Sequence, residues 1–261
     1  MLKRTLSALI GAPLLLGLTY LGGPYIAFLV AVLTLLALWE FMKIGERMGM
    51  QTWYIQTTIV TVVWLINLFI GSREWLLSAL VFWLLLVLGR LALTYPKTSL
   101  AEATFNLLAF LYTVVLLSHL YMLRQLPGGL ELTFLTIFLV WATDTGAYLI
   151  GRGFGRHLLA PQVSPKKTVE GSLGGLVLSI VVALVFWRLV GETSWIKYLI
   201  LAIIVGVSAQ IGDLFESALK RSAGVKDSGN LIPGHGGILD RFDSLIFAIP
   251  LVYYGVTLIV R

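Results

Sequence analysis

Nine continuously apolar runs follow one another along the chain, at about 5–22, 25–42, 54–71, 75–94, 103–123, 132–151, 172–190, 196–216 and 243–260. Each is close to the roughly 20 residues that an α-helix needs to cross a bilayer. None alternates apolar and polar positions, which sets aside a β-barrel built from segments of about 10 residues. The pattern predicts an all-α, polytopic integral membrane helical bundle with about nine transmembrane helices. Gly22-Gly23-Pro24 separates the first two runs, because proline cannot continue the first helix and glycine tolerates a tight turn. Basic residues before the first run resemble a signal peptide. No convincing small-residue cleavage site follows them, so this run is expected to stay as a retained helix.

Polar positions are spread unevenly. The first four runs carry few, which sets residues 1–100 apart as amino-terminal transmembrane helices from a carboxy-terminal catalytic region, residues 101–261. Two long polar connections, at about 152–171 and 217–242, belong to the second part. Alternating passage through the membrane puts both on the same face, where they can build one site. Of the nineteen Lys and Arg, fourteen fall on that face and five on the other, so the positive-inside rule assigns the site to the cytoplasmic side. Eight of the fourteen lie in the two long connections themselves.

Composition narrows the partners. The chain has 261 residues, 58% hydrophobic and only 12% charged, and so leaves no room for a separate soluble domain. Its net charge of +6 would hint at nucleic acid in a soluble protein; here it suits a lipid bilayer with anionic headgroups and a phosphorylated substrate. With no cysteine, a disulfide framework and thiolate chemistry are excluded.

Candidate chemistry clusters in four places. Asp144 interrupts the apolar sixth run in "FLVWATDTGAYLIGRG"; a carboxylate at membrane depth costs at least about 2.5–3.5 kcal/mol and needs a cation, a water-filled cavity or a proton. Tyr148 shares its face one turn on, and Gly146 and Gly151 allow a neighbouring helix to approach. The glycines of "GRGFGR" follow a helix and lack the P-loop lysine spacing, so they read as a tight turn. In "SPKKTVEGSLGG", Lys166 and Lys167 place two cations just before a helix start, where free N–H groups also favour phosphate. Gly171 and Gly175 read as helix packing.

In the eighth run Gln210, Asp213, Ser217 and Lys220 form one polar stripe, with Glu216 beside it as a helix-surface ion-pair partner for Lys220. The connection "KRSAGVKDSGNLIPGHGGILDRFD" then holds Arg221, Lys226, His235 and Arg241 among turn formers. Gly234, Gly236 and Gly237 permit positive φ and a close approach of the backbone to a ligand. With Asp240 opening the last helix, Asp243 lies on its face three residues later. Asp144, Asp213, Asp240 and Asp243 make an all-oxygen set suited to a hard divalent cation, magnesium where phosphates supply the remaining ligands. His235 is a candidate for metal or phosphate, although a single histidine in a glycine-rich turn more often makes a hydrogen bond.

The run Ser217, Lys220, Arg221, Lys226, Asp227, Gly229, Pro233, His235, Gly236, Gly237, Asp240, Arg241, Asp243 resembles, without departure, the signature of phosphatidate cytidylyltransferases, also called CDP-diacylglycerol synthases. "DTGAY" and "SPKKTVEG" resemble the family's other polar segments. The resemblance implies a magnesium-dependent reaction of CTP with phosphatidate, giving CDP-diacylglycerol and pyrophosphate at the cytoplasmic side of a bacterial inner membrane. It also implies a homodimer and a second, monovalent cation such as K+. The family's metal-binding acids carry over to Asp213 and Asp240. Asp144 and Asp243 are added from position and spacing; Lys166, Lys167, Lys220, Arg221 and Lys226 are expected on the phosphate side, with His235 and Arg241 as further catalytic candidates. A CTP-dependent polyprenol or dolichol kinase is the nearest alternative. An ion-coupled transporter using Asp144 and Asp213 is a more distant one, and the missing inverted repeat speaks against it.

Overall fold

The computed structural model describes residues 2–71, 73–191, 194–234 and 236–259. Among them each apolar run becomes a helix: α1 (Leu2–Leu21), α2 (Gly23–Arg47), α3 (Tyr54–Ile70), α4 (Arg73–Thr94), α5 (Leu100–Arg124), α6 (Gly129–Phe154), α7 (Val169–Val190), α8 (Trp195–Ser222) and α9 (Leu239–Ile259). Seven, α2 and α4 to α9, are long and apolar enough to cross a membrane; Leu9–Leu21 of α1 and Tyr54–Ile70 are shorter apolar segments. The chain is therefore a polytopic, all-helical membrane protein. Long faces of α4 (Phe82, Leu85, Leu88) and α7 (Leu173, Val177, Val181) are exposed and apolar, as lipid contact requires.

The turn at Gly22 and Gly23 forms as the sequence predicts, with φ of 64° and 48°. Arg124, at the end of α5, donates from Nε to the Thr19 carbonyl (2.8 Å) and from Nη2 to the Tyr20 carbonyl (3.2 Å), satisfying the last carbonyls of α1. At the opposite end Ser7 of α1 donates to the Pro233 carbonyl at 3.1 Å. The two ends of α1 thus mark the two faces of the bundle, and the 217–242 connection lies at the Ser7 end.

Helices α6 and α7 pack backbone to backbone through the glycines. A Cβ on Gly146 would lie 2.6 Å from the Gly174 carbonyl, on Gly175 2.6 Å from the Thr143 carbonyl, and on Gly171 2.8 Å from the Ala147 carbonyl. Small residues let apolar helices approach this closely in a membrane, where the hydrophobic effect gives no drive for association. This contact also alters one local expectation. Gly151 and Gly153 are not in a turn but within α6, which runs on to Phe154, and a Cβ on Gly151 would sit 3.1 Å from Thr168 Oγ1 at the start of α7.

Two short strands, β1 (Leu158–Ala160) and β2 (Ser164–Thr168), fill the connection between α6 and α7 as an antiparallel hairpin, with Leu158 opposite Thr168 and Ala160 opposite Ser164. Such short segments carry no readable alternation, and the sequence predicts only extended backbone at Ser164. One turn of α5, Leu111–Val115, has π geometry, a feature that gathers at functional sites. It aims Tyr112 into an aromatic cluster with Phe41, Phe215 and Phe247, at ring separations of 5.6, 4.9 and 6.1 Å, which ties α2, α5, α8 and α9 together behind the polar region.

Candidate active site

The β1–β2 hairpin is fastened to the start of α7. Glu170 accepts from the backbone N–H groups of Arg156 (3.0 Å) and His157 (3.2 Å) and pairs with His157 Nδ1 at 2.6 Å. Thr168 caps α7 by accepting from the Gly171 N–H at 3.1 Å. Lys166 and Lys167 are thereby held over a cavity of about 590 Å³, lined also by Asp144 and Tyr148 from α6 and by Gln210 and Asp213 from α8. Lys167 Nζ lies 2.5 Å from Asp213 Oδ2, and Lys166 is exposed to the cavity with no ion pair among the described residues. Gln210 donates to the carbonyls of Gly206 (2.9 Å) and Ser172 (3.3 Å), while Ser217 donates to Asp213 Oδ1 at 3.3 Å. The polar stripe of α8 faces protein, as its spacing predicts.

Glu216 is fully buried and pairs with Lys220 at 2.5 Å, so the ion pair expected on the helix surface lies in the interior. Lys220 also reaches Asp240 Oδ1 at 2.6 Å. The other oxygen of Asp240 accepts from the Ser228 N–H (2.9 Å), the Ser228 hydroxyl (2.9 Å) and the Gly237 N–H (2.7 Å). Asp240, in the first turn of α9, thus closes the preceding loop on itself. Gly234 and Gly236 do take positive φ, 79° and 81°. The close approach at Gly237 is to protein carboxylates, with Glu40 and the Ser228 hydroxyl filling the space of a missing Cβ.

The four predicted acids divide into two groups. Asp243 lies within electrostatic range of both Asp213 and Asp144, and Asp144 in turn faces Lys167 and Arg241. Asp243 accepts from the Ser244 N–H at 2.6 Å. Asp240, by contrast, is occupied by Lys220 and the loop. Arg221 joins the two long connections, donating to the Val163 carbonyl at 3.3 Å and to Val225 at 3.2 Å. Lys226 is exposed on the loop and does not line the cavity. His235 lies outside the described residues. Arg241 borders an apolar groove formed by Gly11, Ala12, Leu15, Trp141, Phe242 and Leu245, while its charge reaches Asp144 beside the polar cavity.

Two residues escape the sequence reading. Tyr112 is buried, its hydroxyl has no hydrogen-bond partner among the described residues, and Asp243, Glu216 and Asp213 lie within electrostatic range of it. Glu40 of α2 is fully buried against the Ser228–Leu239 loop. Its signal was present: one carboxylate in the apolar stretch "LLALWEFM" obeys the same cost that singles out Asp144.

Residues 2–259 match the model of the cytidylyltransferase family. The chain is 36% identical over 254 residues to a phosphatidate cytidylyltransferase of Staphylococcus haemolyticus, covering 95% of this chain and 96% of that one. It is 42% identical over 176 residues to a phosphatidate cytidylyltransferase of Bacillus subtilis, covering 66% and 65% of the two chains. A phosphatidate cytidylyltransferase of Staphylococcus aureus is 36% identical over 256 residues, covering 95% and 96%.

Proposed function

The chain belongs to the cytidylyltransferase family, and on that premise we propose that it transfers CMP from CTP to phosphatidate, with magnesium, at the cytoplasmic face of a bacterial inner membrane. It is a nucleotidyltransferase of phospholipid biosynthesis. The observation that supports the substrate pair is the position of Arg241, which borders an apolar groove while its charge reaches Asp144 of a polar cavity lined by lysines and carboxylates. One reactant is apolar and the other is a water-soluble polyanion.

A phosphate oxygen of phosphatidate attacks the α-phosphorus of CTP; the bond from that phosphorus to the bridging oxygen breaks, and pyrophosphate leaves with the electron pair. Two anions must be brought together, and charge grows on the leaving group. Lys166 and Lys167 offset that charge beside the start of α7, while Arg241 meets the lipid phosphate at the groove. Phosphatidate is already ionised near neutral pH, so the reaction needs no dedicated general base. The donors fit a hard divalent cation, because Asp144, Asp213 and Asp243 share electrostatic range and offer only oxygen. Among the described residues no three such groups come close enough to enclose an ion unaided. Magnesium takes one or two carboxylates and completes its shell with water and phosphate oxygens. Asp213 with Asp144 and Asp243 would hold it, while Asp240, engaged by Lys220 and the loop, would position the first turn of α9. The ion would supply neutralisation of the charge that builds up when the two phosphates meet.

Alanine at Lys166 removes a cavity cation that no carboxylate among the described residues pairs with, and is expected to raise the KM for CTP by about 10-fold or more, with a smaller fall in kcat. Steady-state kinetics with varied CTP check this. The reaction itself is tested by incubating purified protein with phosphatidate, magnesium and CTP labelled at either the α- or the γ-phosphate. Label from the α position should enter the lipid fraction and label from the γ position should leave as pyrophosphate. Release of CDP with γ-label in a phosphorylated alcohol would instead establish a kinase.

A further inference from the structure

We propose that Glu40, in the amino-terminal half of the chain, is a positioning residue for the reaction: it holds the 228–239 loop in the geometry that presents Asp240 and the first turn of α9. The inference rests on the proposed transfer for its kinetic consequence, but its structural content is independent. Glu40 Oε1 accepts from the Ile238 N–H at 2.9 Å, and Oε2 accepts from the Leu239 N–H at 2.9 Å and the Ser228 hydroxyl at 3.0 Å. These partners lie 188 to 199 residues away in sequence.

The N–H groups of Ile238 and Leu239 stand at the head of α9, where a helix has donors without intrahelical partners. A carboxylate there both satisfies them and complements the helix dipole. Because Ser228 offers its single hydroxyl proton between Glu40 and Asp240, the two carboxylates grip one loop from opposite sides. The surrounding glycines are shaped to Glu40. A Cβ on Gly229 would lie 2.7 Å from Glu40 Oε1, and one on Gly237 would collide with both carboxylate oxygens. On the same helix, Phe41 packs against Phe105 and Tyr112, at 5.0 and 5.6 Å between ring centres, so α2 is a fixed support. Through Ser228 and Asp240, the chain of contacts from Glu40 reaches Lys220 and Glu216 on α8. No other amino-terminal side chain described here ties this loop to the bundle by a carboxylate.

The test compares wild type with Glu40→Gln, Glu40→Ala and a remote core control, Trp64→Phe, which loses the indole N–H bond to Ser118. Glu40→Gln preserves shape and one acceptor oxygen, so it keeps the test alive if Glu40→Ala fails to fold. The expected result is a fall in kcat of about 10- to 100-fold for Glu40→Gln, the range for loss of an outer support, with KM for CTP changed far less. Backbone amide exchange at Ile238 and Leu239 should quicken by roughly tenfold in the same variant, while exchange at Val114 stays as in wild type. Trp64→Phe should lower the melting temperature and leave kcat unchanged. Unaltered exchange at Ile238 and Leu239 in folded Glu40→Gln overturns the inference, as does an equal fall in kcat for Trp64→Phe. An inactive wild type would refute the proposed reaction alone, since the exchange comparison is read without turnover.

Discussion

Asparagine at Asp213 is expected to reduce CMP transfer by about a thousandfold or more, with little change in thermal unfolding of the detergent-solubilised protein. The side chain is part-exposed to the polar cavity, its partners are Lys167 at 2.5 Å and Ser217 at 3.3 Å, and among the described residues no loop backbone depends on it. Exchanging a carboxylate for an amide of the same shape there removes charge without opening a void. Surface-accessible ion pairs contribute about 0–1 kcal/mol to stability, so the fold should barely register the loss. The transition state is a different matter. Charge stabilisation of several kcal/mol is at stake where two phosphates meet, and about 4 kcal/mol corresponds to a thousandfold in rate. Initial rates with labelled CTP, together with a melting curve on the same preparation, check both halves.

Asparagine at Asp240 is expected to abolish turnover for a compound reason, and here stability should fall as well. Lys220 and three loop donors converge on this one carboxylate, and its side chain is only 5% exposed. An amide would turn an N–H group toward donors and leave Lys220 paired with the buried Glu216 alone. Breaking a buried charge pair by removing one partner costs about 3–5 kcal/mol. The melting temperature should therefore drop clearly for Asp240→Asn and hardly at all for Asp213→Asn. That contrast separates an acid that works mainly on the ligands from one that also builds the loop; equal melting temperatures would erase the distinction.

Much of this was legible in the sequence, because a membrane protein writes its fold in long apolar runs. All nine runs became helices, and the two basic connections converge, joined by Arg221 to Val163, while Lys167 of the first reaches Asp213 of α8. The stripe through Gln210, Asp213 and Ser217 faces protein and the polar cavity because period and polarity agree on a helix. What stayed hidden depends on pairing across the chain. The β1–β2 hairpin is too short for a strand period, and Glu170, which pins it, reads in sequence as an ordinary first-turn acid. Spacing alone placed Asp240 and Asp243 on one face of α9, yet their surroundings differ: Asp240 turns to the loop and Asp243 to Asp213. Glu40 carried a signal of cost but none of partner, since Ser228 and Leu239 are far away along the chain.

In the proposed reaction the acids of α6, α8 and α9 share one divalent ion with the nucleotide. Titration of Mn2+ into purified protein with CTP, followed by electron paramagnetic resonance of the free ion, measures it directly. Wild-type protein is expected to remove close to one equivalent of Mn2+ from solution in the presence of CTP, and Asp213→Asn far less at the same concentrations. Equal Mn2+ uptake by the two proteins would contradict it.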